Sequence, residues 1–251
     1  SDPIEVQNYF LWGNGTSIGG EGTFHNIRMT EMARVDETSE PRVFGNRSFV
    51  NSGQLIWSAG DLIAFENASI INDIDAVFSI QGNVRSTAFM PKAYPQILND
   101  GLLEITDMAD NVDLEWKIKS NGLIKLSAGR VAIRGGLKLT SGQLVSGGST
   151  LITPNLEVQK AAFYGKLSIK GNMQCLGRLD LLSDDKELFG EYFNAGQSYL
   201  LTGKIKFAGP VTNESLIEAS EDTVLEFAHA LNCTQNASIT SLNEVHFSSP
   251  L

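Results

Sequence analysis

Three phenylalanines at equal intervals set the strongest constraint on this chain. Ile205-Lys-Phe207-Ala-Gly-Pro210 returns forty positions later as Val245-His-Phe247-Ser-Ser-Pro250, and Val224-Leu-Glu-Phe227 lies midway, so Phe207, Phe227 and Phe247 are spaced twenty and twenty. A repeat of that length is one circuit of short strands and turns, and successive circuits bury their apolar side chains against each other. The spacing predicts that the three rings stack in one column.

The same interval runs back through the chain. Asn99-Asp-Gly101-Leu-Leu-Glu-Ile105 recurs as Ser120-Asn-Gly122-Leu-Ile-Lys-Leu126, and Gly101, Gly122, Gly142 and Gly165 are spaced 21, 20 and 23. Glycine is read in each unit as the residue that permits a left-handed turn, after which alternate residues face in and out. Leu167 and Ile169 are then expected in the core, with Lys166 and Ser168 in water. Four short apolar runs between Ser48 and Gly82 give about ten residues per strand plus turn. That is two strands per coil, or three where one is very short. Frequent glycine excludes long amphipathic helices, which need apolar residues three and four apart over a dozen positions. The fold class expected is an all-β solenoid of about 20–23 residues per coil, a single domain over 1–251 with a few loop insertions.

Two insertions interrupt the rhythm. Residues 26–42 combine the loosely helical spacing of Ile27, Met29, Met32 and Val35 with a polar run ending at Pro41, and read as a protruding loop or short helix. Residues 90–97, with Pro91 and Pro95, read as a second excursion. The run from Ser183 to Phe193 is less regular and reads as holding a helical turn. The chain stops at Leu251 just as a repeat begins, whereas solenoid ends are ordinarily capped. A fragment of a longer chain is expected, or an end that self-associates with another subunit.

Composition narrows the partners. Hydrophobic residues at 42 % and charged residues at 19 % suit a folded chain. The net charge of −10 argues against nucleic acid, which requires a basic face. No run approaches the roughly eighteen apolar residues of a membrane span. Cys175 and Cys233 lie 58 residues apart, close to three coils. At about 4.8 Å per coil that is roughly 14 Å, beyond the ~7 Å that a disulfide tolerates.

Six N-x-[ST] motifs are present, at Asn14, Asn46, Asn67, Asn213, Asn232 and Asn236. With turns rich in Asn, Gly, Ser and Thr, they point to an extracellular or cell-surface glycoprotein. Lys117, Lys119, Lys125, Arg130, Arg134 and Lys138 cluster within an acidic chain, and their neighbours Trp116, Ile118, Val131, Ile133, Leu137 and Leu139 are expected inward. On successive coils these cations are expected to form an outer stripe able to meet an anionic ligand. Asp107, Asp110, Asp113 and Glu115 offer oxygen ligands for calcium, without the glycine and spacing of a calcium loop. Asp184-Asp185 is the one adjacent pair of aspartates, in a run that reads as a solvated turn. No phosphate loop, nucleophile elbow or cofactor motif is present, and no cofactor is expected.

The pattern [N/S]-x-G-x-L-x-[aromatic or aliphatic] is carried by Asn51-Ser-Gly-Gln-Leu-Ile-Trp57, Asn99-Asp-Gly-Leu-Leu-Glu-Ile105 and Gly177-Arg-Leu-Asp-Leu-Leu182. It resembles right-handed parallel β-helix domains of secreted and cell-surface proteins, of the adhesin-like and pectin-lyase-like superfamilies, over roughly 45–90 and 97–250. The resemblance implies a right-handed parallel β-helix and two functional classes, carbohydrate-active enzymes and non-catalytic surface proteins. The hydrolase signatures of such enzymes, a His-Gly and an Arg-x-Lys, are not matched: none of His25, His229 and His246 precedes a glycine. The reading carried forward is a non-catalytic extracellular module, a rigid structural or adhesive surface meeting other extracellular proteins or polysaccharide. A polysaccharide lyase or glycoside hydrolase, and a filament subunit polymerising end to end, are the alternatives.

Overall fold

A computed structural model describes residues 3–20, 22–33, 40–65, 67–89, 94–127 and 129–248. It is all-β, without helix among these residues, and its parallel strands stack as a β-solenoid of about 12 turns. The chain divides into two compact units, Ser1–Gly136 and Leu137–Leu251.

In the first unit each coil has three strands. The first strands are Thr23–Asn26, Ser48–Asn51, Ser69–Asn72, Gln96–Asn99 and Lys117–Ser120, each parallel to the next. The second strands run from Tyr9–Gly13 through Met29–Ala33, Gln54–Trp57, Val77–Ile80 and Leu102–Ile105 to Leu123–Leu126. The third run from Ser17–Ile18 through Arg42–Phe44, Leu62–Ala64, Arg85–Ala88 and Asn111–Leu114 to Arg130–Ile133. Three strands fit into a coil because the corners are tighter than the sequence suggests; only Ser52 and Gly53 separate Ser48–Asn51 from Gln54–Trp57.

The last inward position of each first strand is polar. Asn26, Asn51, Asn72, Asn99 and Ser120 are all buried and directly above one another. The Nδ2 of Asn26, Asn51 and Asn72 each donates to the Oδ1 of the next asparagine at 2.7 Å, and Asn99 donates to Ser120 Oγ at 2.9 Å. The same amides donate to the carbonyls of Gln54, Val77, Leu102 and Leu123 across the corner. A corner leaves backbone carbonyls without ladder partners, and asparagine supplies the missing donors while bonding its own kind vertically. Rungs lie 25, 21, 27 and 21 residues apart, yet their geometry repeats.

Gly101 and Gly122 follow this ladder, and neither is left-handed, contrary to the turn reading; Gly142 and Gly165 are, at φ 99° and 75°. At Gly122 the reason is proximity. A Cβ there would sit 2.2 Å from the carbonyl oxygen of Gly101 in the coil before.

Both insertions shrink. Met29–Ala33 is a strand within the stack, with Thr30 and Met32 inward, rather than part of a loop or helix. The spacing of Met29 and Met32 only resembles a helical period. The remainder of that expected insertion at 34–39, and 90–93 of the second, lie outside the described residues; Gln96–Asn99 is again a strand. Arg42 points inward from a third strand and is fully buried. It donates to the carbonyls of Trp12 (2.6 Å), Ala59 (2.8 Å) and Ala33, tying three coils at one corner. Burial lowers its pKa to about 10, against a smaller upward pull from Asp61.

The second unit also has three faces. Thr150–Tyr164 and Leu167–Leu182 are long strands that run around whole coils, paired to each other with register shifts at two places where they bend. Beyond them the coils resolve into short strands. Lys186–Leu188, Gly203–Phe207, Thr223–Phe227 and Val245–Phe247 form one column. Tyr192–Asn194, Val211–Asn213 and Leu231–Cys233 form the second, and Gln197–Leu200, Leu216–Ala219 and Ser238–Ser241 the third. Phe207 and Phe227 stack at 5.1 Å between ring centroids, and Phe227 and Phe247 at 5.5 Å, as the twenty-residue spacing predicts. Leu167 and Ile169 are buried, as expected.

No helical turn occupies Ser183 to Phe193. Ser183 and Asp184 form a left-handed corner instead, at φ 49° and 55°. Cys175, Asn194, Asn213 and Cys233 share one column over three coil steps. Both thiols are free.

Candidate functional site

The six cations do not form one stripe. Lys117 and Lys119 belong to a first strand, Lys125 to a second and Arg130 to a third, with Arg134 just beyond it. They lie on successive faces of one coil, whereas a stripe needs one face on successive coils. Lys138 belongs to the second unit. Alternation behaved as expected, since Trp116, Ile118, Val131, Ile133, Leu137 and Leu139 are all buried. Three of the cations are also neutralised by carboxylates, Lys125 by Glu104 (2.7 Å), Arg134 by Asp113 (2.6 Å) and Lys138 by Glu157 (2.5 Å).

A polar hollow of about 480 Å³ opens on the third-strand face of the first unit, lined by Asp61, Asn83, Val84, Arg85, Asn111, Asp113 and Arg134. Val112 and Leu114 pack inward, which turns Asn111 and Asp113 outward. Arg134 donates Nε and Nη2 to the two oxygens of Asp113, at 2.6 Å each. That fork, reinforced by the charges of Arg134, Arg130 and Arg85, holds the Asp113 carboxyl below the usual carboxylate range. Arg85 is the register partner of Asp113 on the neighbouring coil. Asn111 Oδ1 accepts from Arg130 Nη1 at 2.5 Å, and Asn83 Oδ1 accepts the Asn111 backbone N–H at 2.9 Å. Sequence reading missed Asp61, Asn83 and Arg85. Their only signal was outward register on an alternating run, because their partners arrive from a neighbouring coil.

The calcium candidates do not converge. Asp113 is occupied by Arg134, Glu115 Oε2 accepts the Ala88 N–H at 3.0 Å, and no cluster of three His, Cys, Asp or Glu ligands occurs among the described residues. Asp184-Asp185 builds a corner: the Asp184 carbonyl accepts from Lys186, and Asp185 Oδ1 accepts the Lys204 N–H at 2.8 Å. Lys186 is buried, donating also to the carbonyls of Leu182 and Ser183, and burial pushes its pKa down to about 8.

Outer charges in the second unit alternate. Glu187, Lys206, Glu226 and His246 are successive register partners. Lys206 lies 3.3 Å from Glu187 and 3.8 Å from Glu226, and Lys204 lies 2.5 Å from Glu226. In the first unit His25 Nε2 lies 2.8 Å from Ser52 Oγ, which donates to Asp73 at 2.5 Å. The single hydroxyl proton is committed to the carboxylate, so the imidazole donates; this order does not activate a serine.

The sequons divide by exposure. Asn46, Asn67, Asn232 and Asn236 are exposed, whereas Asn14 and Asn213 are buried. Asn213 Oδ1 accepts from Asn194 at 2.8 Å and its Nδ2 donates to the Ser238 carbonyl at 3.1 Å, which leaves no room for a sugar in the folded chain. Comparison with known proteins finds no matching family model, no similar curated protein and no similar solved structure.

Proposed function

We propose that the chain is a non-catalytic extracellular β-solenoid module, a rigid structural or adhesive surface that meets other extracellular proteins or polysaccharide and carries glycans on Asn46, Asn67, Asn232 and Asn236. The observation that carries this reading is the buried amide ladder from Asn26 to Ser120, in which each coil is bonded side chain to side chain to the next. Such polar columns, bonded at every rung although the buried Asn26 Oδ1 at their start has no partner, resist bending and slippage between coils. Outer charges are largely answered by neighbouring coils, as at Lys125–Glu104 and Arg134–Asp113. Among the described residues the carboxyls shifted in proton affinity, Asp113 and Glu226, are both shifted downward, the wrong direction for a general acid.

The test uses chain secreted from a eukaryotic host. Intact mass before and after glycosidase treatment reads glycan occupancy, and incubation with a panel of immobilised polysaccharides reads retention and new sugar ends together. Glycosylated chain that is retained without cutting supports the module. Release of reducing or unsaturated ends replaces it with the carbohydrate-active alternative.

A further inference from the structure

We propose that the hollow on the third-strand face of the first unit binds a tetrahedral oxyanion, a phosphate or sulfate group, held by the guanidinium of Arg85 and the side-chain amides of Asn83 and Asn111, with Arg130, bonded to Asn111, adding positive charge nearby. The proposal is independent of the scaffold reading, because it concerns one face and one charge class.

Four observations converge. Both oxygens of Asp113 are bonded by Arg134, so this carboxylate acts on Arg85 and Arg130 through its charge and not through a direct ion pair. Arg85, exposed and in register with Asp113, has no ion-pair partner among the described residues. Arg130 reaches a neutral amide oxygen rather than a carboxylate. The remaining carboxylate on the rim, Asp61, already faces the positive charge of buried Arg42.

The two amides are oriented by the same bonds. Asn111 Oδ1 faces Arg130, a group that can only donate, and Asn83 Oδ1 faces a backbone N–H. Each therefore turns its NH₂ away from those contacts. The hollow thus offers one guanidinium without an ion-pair partner and two amides as donors, beside the Asp113–Arg134 pair and the Asp61 carboxylate. A volume of about 480 Å³ admits a sugar carrying the charged group. Guanidinium forks and amide donors suit three-oxygen anions.

The experiment titrates isotope-labelled full-length chain with N-acetylglucosamine 6-sulfate and, separately, N-acetylglucosamine 6-phosphate at fixed ionic strength. Saturable amide shifts are expected around Asn83, Arg85 and Asn111, and not with chloride alone. Arg85→Gln is expected to weaken binding at least about tenfold, as loss of a charge-assisted contact does. Asn83→Asp keeps the acceptor for the Asn111 N–H but replaces a donor with a negative charge, and is expected to abolish binding. Lys117→Gln, on another face, is expected to leave it unchanged. Binding of the sulfate ester alone assigns sulfate as the source, binding of the phosphate ester alone assigns phosphate, and both support the site. Absence of saturable shifts with either ester overturns the proposal, as does equal affinity in folded Arg85→Gln and Asn83→Asp variants.

Discussion

Asn72 receives an N–H from Asn51 and gives its own to Asn99 and to the Leu102 carbonyl, so one side chain closes three buried bonds. Asn72→Ala is expected to destabilise the chain by about 2–4 kcal/mol, because buried partners above and below lose their mates. Asn72→Ser is expected to cost less, since Ser120 shows that a hydroxyl can accept the same N–H; denaturant midpoints of the two variants check the order. Lys186 gives a pH signature. Its folded pKa of about 8 lies below the ordinary 10.5, so the folded state releases the proton first. Stability from this group rises between those values, by about 2 kcal/mol from pH 7.5 to 9.5. Cys175 and Tyr192, both pushed upward by burial, act in the opposite sense at higher pH. The measurement is therefore the difference between the chain and Lys186→Met, in which the rise is expected to vanish. The Asn-x-Gly corners were legible, but the reason for their glycines was not, because Gly122 answers to a carbonyl 21 residues away that no local pattern announces.

Strands and their columns were the more legible level. Alternation placed Leu167 and Ile169 inward, and the equal spacing of three phenylalanines foretold their stacking. The number of strands per coil was not visible, because two-residue corners such as Ser52-Gly53 leave no polar gap to count. For the same reason Met29–Ala33 read as an insertion when it is a second strand. Phe227, stacked on both sides, is expected to lose about 3–5 kcal/mol on change to alanine. Gly122→Ala is also expected to destabilise, although its backbone is not left-handed; the added methyl forces two coils apart. Thermal unfolding of the two variants beside Gly148→Ala tests this, since Gly148 is left-handed at φ 110° but open. If Gly122→Ala proves neutral, close approach is not what selects glycine there.

At the scale of the molecule, the candidate surface was the least legible part. Cations adjacent in sequence fall on different faces of a solenoid, and the hollow at Arg85 assembles from residues on several coils. Glycan occupancy belongs to this scale, and peptide mapping of secreted chain is expected to find sugar at Asn46, Asn67, Asn232 or Asn236 but none at buried Asn213. The asparagine rungs have a further consequence. Their geometry repeats whether 21 or 27 residues intervene, so vertical register is encoded by one side chain per circuit and not by circuit length. A whole circuit should then be excisable: removing residues 73–99 joins Asn72 to Asp100 and brings the Asn72 amide over Ser120. The shortened protein is expected to refold with a native-like β spectrum and a lower melting temperature, whereas a cut displaced by a single residue would turn core side chains outward and fail.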